Sequence, residues 1–450
     1  MSSAPSANMA GLGRRRTIVE NAGVLMAAQG WRKGCMVVVA ILVAHMAGSE
    51  ALGRLLWAIS FVWLFWMLVD GGISELFVRD VAAHPARAPG YARVSARMKT
   101  PLAAGALAAI AVGARAAGRP WPDVWLVFVI GLILVTESYA VLCHGWFRVQ
   151  HRMHWEALWW VVDGALKLAG AGAVLVLRPA GDAMLWIAGI WWATSLLLTA
   201  PLWRWWHRAV GSGTAAPADA PQPTGRQLLA RGLPLVLVTG LSLINLRGMI
   251  VLLGLWRGPA EAGYFGAGER IVEALQLLSV ALAQVMLPVS ARLAADGSAS
   301  LDRIVRRASG AVLLGASVVG AGVWAAGGPG IRLVYGRDFG PTAAIMGYLA
   351  VATVPVLVKP VLEKILAGMH RQGLVWRWYT GVAVGCALGA YWVVPRWGVS
   401  GAAAWVAATE WVAAAGLGVV LWRLLSRPHA EAAAAWRLER VVPLEAESTG

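Results

Sequence analysis

The feature that most constrains this chain is the length of its apolar runs. A helix that crosses a bilayer needs roughly 20 consecutive, mostly apolar residues. Twelve segments meet that demand, at about 17–46, 51–82, 97–116, 121–150, 154–177, 182–207, 229–255, 260–294, 302–326, 341–370, 374–394 and 399–425. Several exceed the minimum, so tilted helices, or helices that continue beyond the membrane, are expected. Of the 450 residues, 59% are hydrophobic and 14% charged, whereas a soluble globular domain is about half apolar and a quarter charged. The expected fold class is therefore all-α, a polytopic membrane protein of about twelve transmembrane helices.

A formal net charge of +16 would suit a nucleic-acid binder. Here Lys and Arg fall mostly between the apolar runs, the positive-inside pattern, and no nucleic-acid partner is expected. One set of connections is rich in cations: "ARAPGYARVSARMK", "RVQHRMH", "RWWHR" with "GRQLLAR", "ARLAADGSASLDRIVRR", "HRQGLVWR" and the tail from Arg423. The alternate set comprises "AGSEA", "ARAAGRPWP", "RPAGD", "WRGPAEAG", "AAGGPGIRLVYGRDFGP" and "PRWGVS". Roughly two dozen cations on the first side against about eight on the second put both termini in the cytoplasm. The N-terminal "MSSAPSANMAGLGRRR" leads into a helix with Glu20, Asn21, Arg32 and Lys33 and without a cleavage site after a clean apolar core. It reads as a retained first span, not a removed signal peptide. Cys35, Cys143 and Cys386 sit in apolar stretches at wide spacings, as buried free thiols. The 26 Trp residues read as interfacial anchors.

The longest break, "GSGTAAPADAPQPTG" at 211–225, is polar and low in complexity, as a flexible linker is. It divides the chain into an N-terminal tail (1–16), a first lobe of six helices (17–208), a cytoplasmic linker (209–228), a second lobe of six (229–425) and a cytoplasmic C-terminal tail (426–450). The halves resemble each other. Arg16 set on Arg231 without a gap places Arg32 on Arg247, Gly48 on Gly263 and Gly53 on Gly268. Repeated halves with a site between them are a recurring transporter plan.

A buried cation within a span costs about 2.5–3.5 kcal/mol even on the lenient insertion scale, so such residues face a bundle interior or a watery cavity. Asp163 and Lys167, Glu75 and Arg79, and Lys359 and Glu363 are four apart and can neutralise each other on one helical face. Arg32, Lys33 and Arg247 have no acid at that spacing. They either line a hydrated cavity that receives an anion or pair across helices with Glu137, Glu269, Glu273 or Glu410. Pro355 and Pro360 in "VATVPVLVKPVLEKI" are expected to kink or break the tenth span, turning freed carbonyls and Lys359 and Lys364 toward protein or water. The candidate substrate-binding residues are Arg32, Lys33, Arg247, Arg270, Lys359 and Lys364. The candidate ion-coupling residues are Asp70, Glu137, Glu269, Glu273 and Glu410. No zinc spacing, phosphate loop, Ser/His/Asp order or nucleotide fingerprint stands out, so neither a metal nor a cofactor is expected.

Several stretches together resemble a known family. They are "LGRLLWAISFVWLFWMLVDGGISELFVRDVA"; "GLPLVLVTGLSLINLRGMIVLLGLWRGPAEAGYFGAGERIVEALQLLSVALAQVMLPVSARL", with Pro234, Gly263, Tyr264, Ala267, Arg270, Ile271 and Pro288; "LVYGRDF"; and "GVSGAAAW". Their order and spacing look like the O-antigen or exopolysaccharide flippases of the multidrug/oligosaccharidyl-lipid/polysaccharide exporter superfamily. The family usually carries a neutral polar residue or Asp in mid-helix seven, where this chain has Arg247.

The resemblance implies two six-helix lobes around a central cavity that opens alternately to either side. It implies an undecaprenyl-diphosphate-linked oligosaccharide as substrate, the bacterial inner membrane as location, and membrane lipids and other proteins of polysaccharide assembly as partners. Acids within the spans beside a basic cavity suggest in addition that at least one of them binds a proton or sodium ion that drives the return of the empty carrier. The diphosphate is the anion that the buried cations would hold, and Arg suits it through its planar fork of donors. A drug/cation antiporter of the same superfamily is the nearest alternative and would favour acidic cavity residues. A membrane-embedded polymerase or glycosyltransferase would need a catalytic constellation, often on a large outer loop, and the longest outward connection has one Asp.

Overall fold

The structure, a computed structural model, describes residues 5–84, 87–177, 183–211, 224–295, 300–369 and 371–426. Among them there is no strand. The helices are α1 (Pro5–Trp63), α2 (Trp66–Asp70), α3 (Ile73–Ala83), α4 (Ala88–Ala116), α5 (Trp121–Val149), α6 (Met153–Leu177), α7 (Ala183–Gly211), α8 (Gly225–Trp256), α9 (Pro259–Ala295), α10 (Ser300–Tyr335), α11 (Gly340–Gly368) and α12 (Gln372–Leu425). Segments three to ten of the sequence reading correspond to α4 through α11. The other four are carried by broken helices. α1 folds back at Gly48 (φ 82), and α12 at Gly398 (φ 52), where only a residue without Cβ adopts the left-handed backbone freely. Gly71 and Gly72 interrupt the second span between α2 and α3. Most of the expected linker, 212–223, and the tail beyond 426 lie outside the described residues.

Seven stretches of the described residues are apolar and long enough to cross a membrane on composition alone, and two of them, Gly23–Trp63 and Gly373–Leu425, contain these breaks. At about 1.5 Å per residue each is close to twice the hydrocarbon thickness, so each supplies two passes. α4 falls short of that criterion because Lys99 and Arg115 lie in its apolar stretch, and α8 and α9 supply the remaining passes. The result is two bundles of six spans around a central cavity.

The alternation of connections is visible in their contacts. Ser49 meets the Tyr264 hydroxyl at 3.3 Å, Arg119 Nη2 donates to Gly254 O at 2.5 Å, and the amide of Val399 donates to Glu261 at 2.8 Å. All of these residues come from the cation-poor set or its borders. Here the lobes close backbone on backbone: a Cβ on Gly53 would lie 1.7 Å from Pro259 O, and one on Gly263 2.2 Å from Ser49 O. This corrects the expected repeat register. Gly48 and Gly258 (φ 97) are the left-handed breaks after the first span of each half. Gly48 therefore matches Gly258, and Gly53 matches Gly263, its neighbour across the lobes; the gapless match fails because the first span of the second half is shorter.

The prolines of α11 do not break it. The helix runs from Gly340 to Gly368 through both. Pro355 leaves Val351 O without its amide donor, and the indole of Trp411 supplies one at 3.1 Å. The Ser279 hydroxyl donates to Leu357 O near the second proline.

Trp411 is one of several tryptophans with this role. Trp31 donates to Val161 O, Trp57 to Val251 O, Trp191 to Lys167 O, Trp378 to Ala413 O and Trp405 to Cys386 O, at 3.0–3.2 Å. Part of the tryptophan content thus ties spans together instead of anchoring them to the interface. Trp405 and Trp378 zip the two arms of α12 by lying over Gly389 and Gly416, where an added Cβ would come within 2.0 Å of the indole. Gly389→Val is expected to cost about 1–3 kcal/mol by overpacking and to lower the Tm of the purified protein. Trp405→Phe in the same chain should restore part of the loss, and an unchanged Tm in the single variant would refute this packing.

Candidate functional site

A cavity of about 360 Å³ lies between the lobes. One part of its wall is aliphatic, from Met36, Leu55, Leu56, Ile133 and Leu134 among others. The other part is ionic: Arg32 and Lys33 from α1, Glu137 from α5, Lys167 from α6, Arg247 from α8, and Arg270 and Glu273 from α9. α9 places Arg270 and Glu273 one turn apart on a single face, and they pair at 2.6 Å.

The charges form two groups. On the N-lobe side, Arg32 reaches Glu137 at 2.5 Å and Asp163 at 2.8 Å, and Lys167 reaches Glu137 at 2.7 Å and Asp163 at 3.0 Å. Two cations and two carboxylates close that group to neutrality. On the C-lobe side, Arg247 at 3.1 Å, Arg270 at 2.6 Å and Lys33 at 3.9 Å share the single carboxylate of Glu273. The excess positive charge therefore gathers there. Arg247 is the least satisfied member. Its side chain is 11% exposed, and its Nε and Nη1 have no hydrogen-bond partner. A buried guanidinium with spare donors beside a cavity has the chemistry to receive an anion with several acceptor oxygens.

The structure thus brings together Arg32, Lys33, Arg247, Arg270, Glu137 and Glu273 from the sequence candidates. Arg32, Lys33 and Arg247 combine both readings, since they line the cavity and pair across helices. The remaining candidates lie elsewhere. Lys359 pairs with Glu410 and not with Glu363, which accepts from the Tyr379 hydroxyl. Lys364 is not in the cavity wall. Asp70 is held by Lys99 at 2.8 Å and by Ser74 at 2.5 Å. Glu269, Glu273 and Glu410 line a second, smaller cavity of about 40 Å³ inside the C-lobe, and Glu269 Oε2 is buried without a partner.

Two buried lysines escape sequence reasoning. Lys167 is legible only as the partner of Asp163, because its reach to Glu137 crosses helices. Lys99 sits in a cation-rich stretch that reads as a connection, yet it is fully buried. A helix that starts at Ala88 carries it into the bundle.

This is a helical membrane-protein architecture of two bundles around a cavity with ionisable walls. Solved structures with the same fold include the inward-facing conformation of a multidrug resistance MATE family transporter of the MOP superfamily (TM-score 0.67, 14% identity, 90% of this chain and 96% of that one). Others are the lipid II flippase MurJ in its inward closed conformation (TM-score 0.70, 12% identity, 92% and 90%) and the eukaryotic MATE transporter AtDTX14 (TM-score 0.66, 15% identity, 95% and 99%). At these identities the likeness is one of fold. No curated protein matches the chain. The polysaccharide biosynthesis protein family matches residues 18–294, more than half of the sequence, and the chain belongs to that family.

Proposed function

We propose that this protein translocates an undecaprenyl-diphosphate-linked oligosaccharide from the cytoplasmic to the outer face of the bacterial inner membrane, by alternating access, for O-antigen, exopolysaccharide or capsule synthesis. The observation that carries the reading is Arg247, buried at the cavity with two nitrogens unpaired and its ion-pair partner Glu273 shared with two other cations. A diphosphate diester supplies the missing charge and acceptors, and the aliphatic wall suits the first prenyl units. The cavity is at the small end of the roughly 300–1,000 Å³ of ligand sites. It admits the head group, and the lobes separate to pass the glycan.

For coupling, Glu137 and Asp70 are committed to Lys and Arg partners, which leaves Glu269 as the acid best placed to take a proton or sodium ion, with Glu410 across the smaller cavity. Glu269→Gln is expected to keep substrate binding and to abolish the response of transport to an imposed ion gradient. Transport in liposomes that ignores both gradients in the parent protein removes this role.

A drug/cation antiporter is the second reading. It is disfavoured because Glu137 and Glu273, the acids facing the cavity, are each held by at least two cations. Calorimetry with farnesyl-diphospho-glucose and with a cationic dye separates the two. Binding of the diphosphate, weakened by salt and lost with the phosphate-free analogue, is expected; binding of the dye alone would support the antiporter.

A further inference from the structure

The N-lobe contains a buried histidine that neither the cavity nor the ion pairs above employ. His144, toward the C-terminal end of α5, is fully buried, and both ring nitrogens lack a partner. Phe147, Trp159 and Trp160 cage the ring at centroid distances of 6.5, 5.0 and 5.5 Å. An unsatisfied buried polar group costs about 1–3 kcal/mol. Two on one ring are poorly explained by packing, which an apolar residue would serve better.

The closest charge is Glu156 on α6, also fully buried, whose Oε1 is 3.9 Å from His144 Nδ1. That carboxylate receives Arg148 at 2.9 and 2.6 Å, and Trp160 Nε1 donates to Oε1 at 3.3 Å. Trp160 in turn lies against Arg32, whose guanidinium carbon is 4.6 Å from the ring centroid. One indole therefore connects Glu156 to the cavity arginine. The charged groups around His144 are Glu156 from α6, Arg148 and Glu137 from α5, and Arg32 from α1, with Glu75 of α3 beyond Arg148.

We propose that His144 is a proton-binding site that sets how firmly the N-lobe holds Arg32. A proton taken from water makes the ring an imidazolium with two donors. A shift of about 1 Å brings Nδ1 into a charge-assisted bond with Glu156 Oε1. Oε1 then turns away from Trp160, whose indole loses its acceptor and whose ring loses its seat against Arg32. Arg32, less constrained, turns a donor from Glu137 toward an anion in the cavity. His144 is a positioning residue, acting through Glu156 and Trp160. Only the last step rests on the diphosphate reading above.

Two measurements keep the parts separate. Tryptophan fluorescence of the purified protein is followed without ligand from about pH 8 to about pH 4, a range that extends below that of imidazoles in water. A His154→Gln/His207→Gln background is used because those rings lie against Trp155 and against Trp203 and Trp206. Imidazolium quenches a neighbouring indole, so a titration step is expected that His144→Gln removes and Trp160→Phe diminishes. Binding of farnesyl-diphospho-glucose, whose diester keeps both charges over this range, is then measured at both ends. It is expected to tighten roughly fivefold toward acid and to become independent of pH in His144→Gln and in Trp160→Phe. The same fluorescence step in His144→Gln as in its parent overturns the proton site. A normal step with pH-independent binding overturns the link to Arg32. Absence of binding at both pH values with the step intact refutes the diphosphate reading and leaves the proton site standing.

Discussion

Arg247→Leu is expected to reach the membrane at near wild-type abundance and to lower transport about 100-fold. Abundance holds because Glu273 keeps two other cations, Arg270 at 2.6 Å and Lys33 at 3.9 Å, and Glu269, which also faces Arg247, keeps Arg270 as a counter-charge. Leu also removes the desolvation penalty of a buried guanidinium. Transport falls because the unpaired Nε and Nη1 are the donors left for the head group. Two hydrogen bonds to a charged group, at about 1.5–3 kcal/mol each, amount to roughly 3 kcal/mol or more, about two powers of ten. Arg247→Lys keeps the charge without the fork and is expected to fall between. Immunoblots of membranes beside complementation of a deletion strain read both quantities. Normal transport in Arg247→Leu would falsify the anion role. Loss of abundance, restored by Glu273→Gln, would make the arginine a structural counter-ion instead.

Lys99→Met is expected to do the reverse, removing the folded protein. Lys99 is fully buried and donates to Asp70 at 2.8 Å and to Ser138 O at 3.1 Å. Its loss leaves Asp70 with Ser74 alone, beside the Gly71–Gly72 break. Breaking a buried pair from one side costs about 3–5 kcal/mol, most of a typical domain's margin. The double change Lys99→Met with Asp70→Asn removes both charges and is expected to recover abundance and most transport. If the double variant folds but does not transport, Asp70 has a part in the cycle beyond holding this joint.

These two outcomes also mark how far the sequence could be read. Span positions follow from hydropathy, since backbone groups in lipid are satisfied only within a helix, and the paired connections on each face follow from cation placement. The breaks at Gly48 and Gly398 were legible as gaps between apolar runs. The behaviour of α11 was not, because the donor that rescues the Pro355 carbonyl, Trp411, comes from another helix. The site divides in the same way. Arg32, Lys33 and Arg247 stood out because local pairing could not neutralise them. Their partners Glu137, Asp163 and Glu273 are 105, 131 and 26 residues away for Arg32 and Arg247, and no helical spacing rule reaches so far. Lys99 was hidden by its neighbours Arg93 and Arg97, which gave a buried residue the look of a loop cation.

The most direct test of the account is translocation by the purified protein alone. Proteoliposomes carry a fluorescent prenyl-diphosphate-linked oligosaccharide in both leaflets, and a membrane-impermeant reductant bleaches the outer pool. The account predicts that bleaching continues past the outer half in wild-type vesicles and stops there in vesicles with Arg247→Leu or without protein. Wild-type vesicles in which bleaching stops at the outer half, under imposed proton and sodium gradients of either direction, would contradict it.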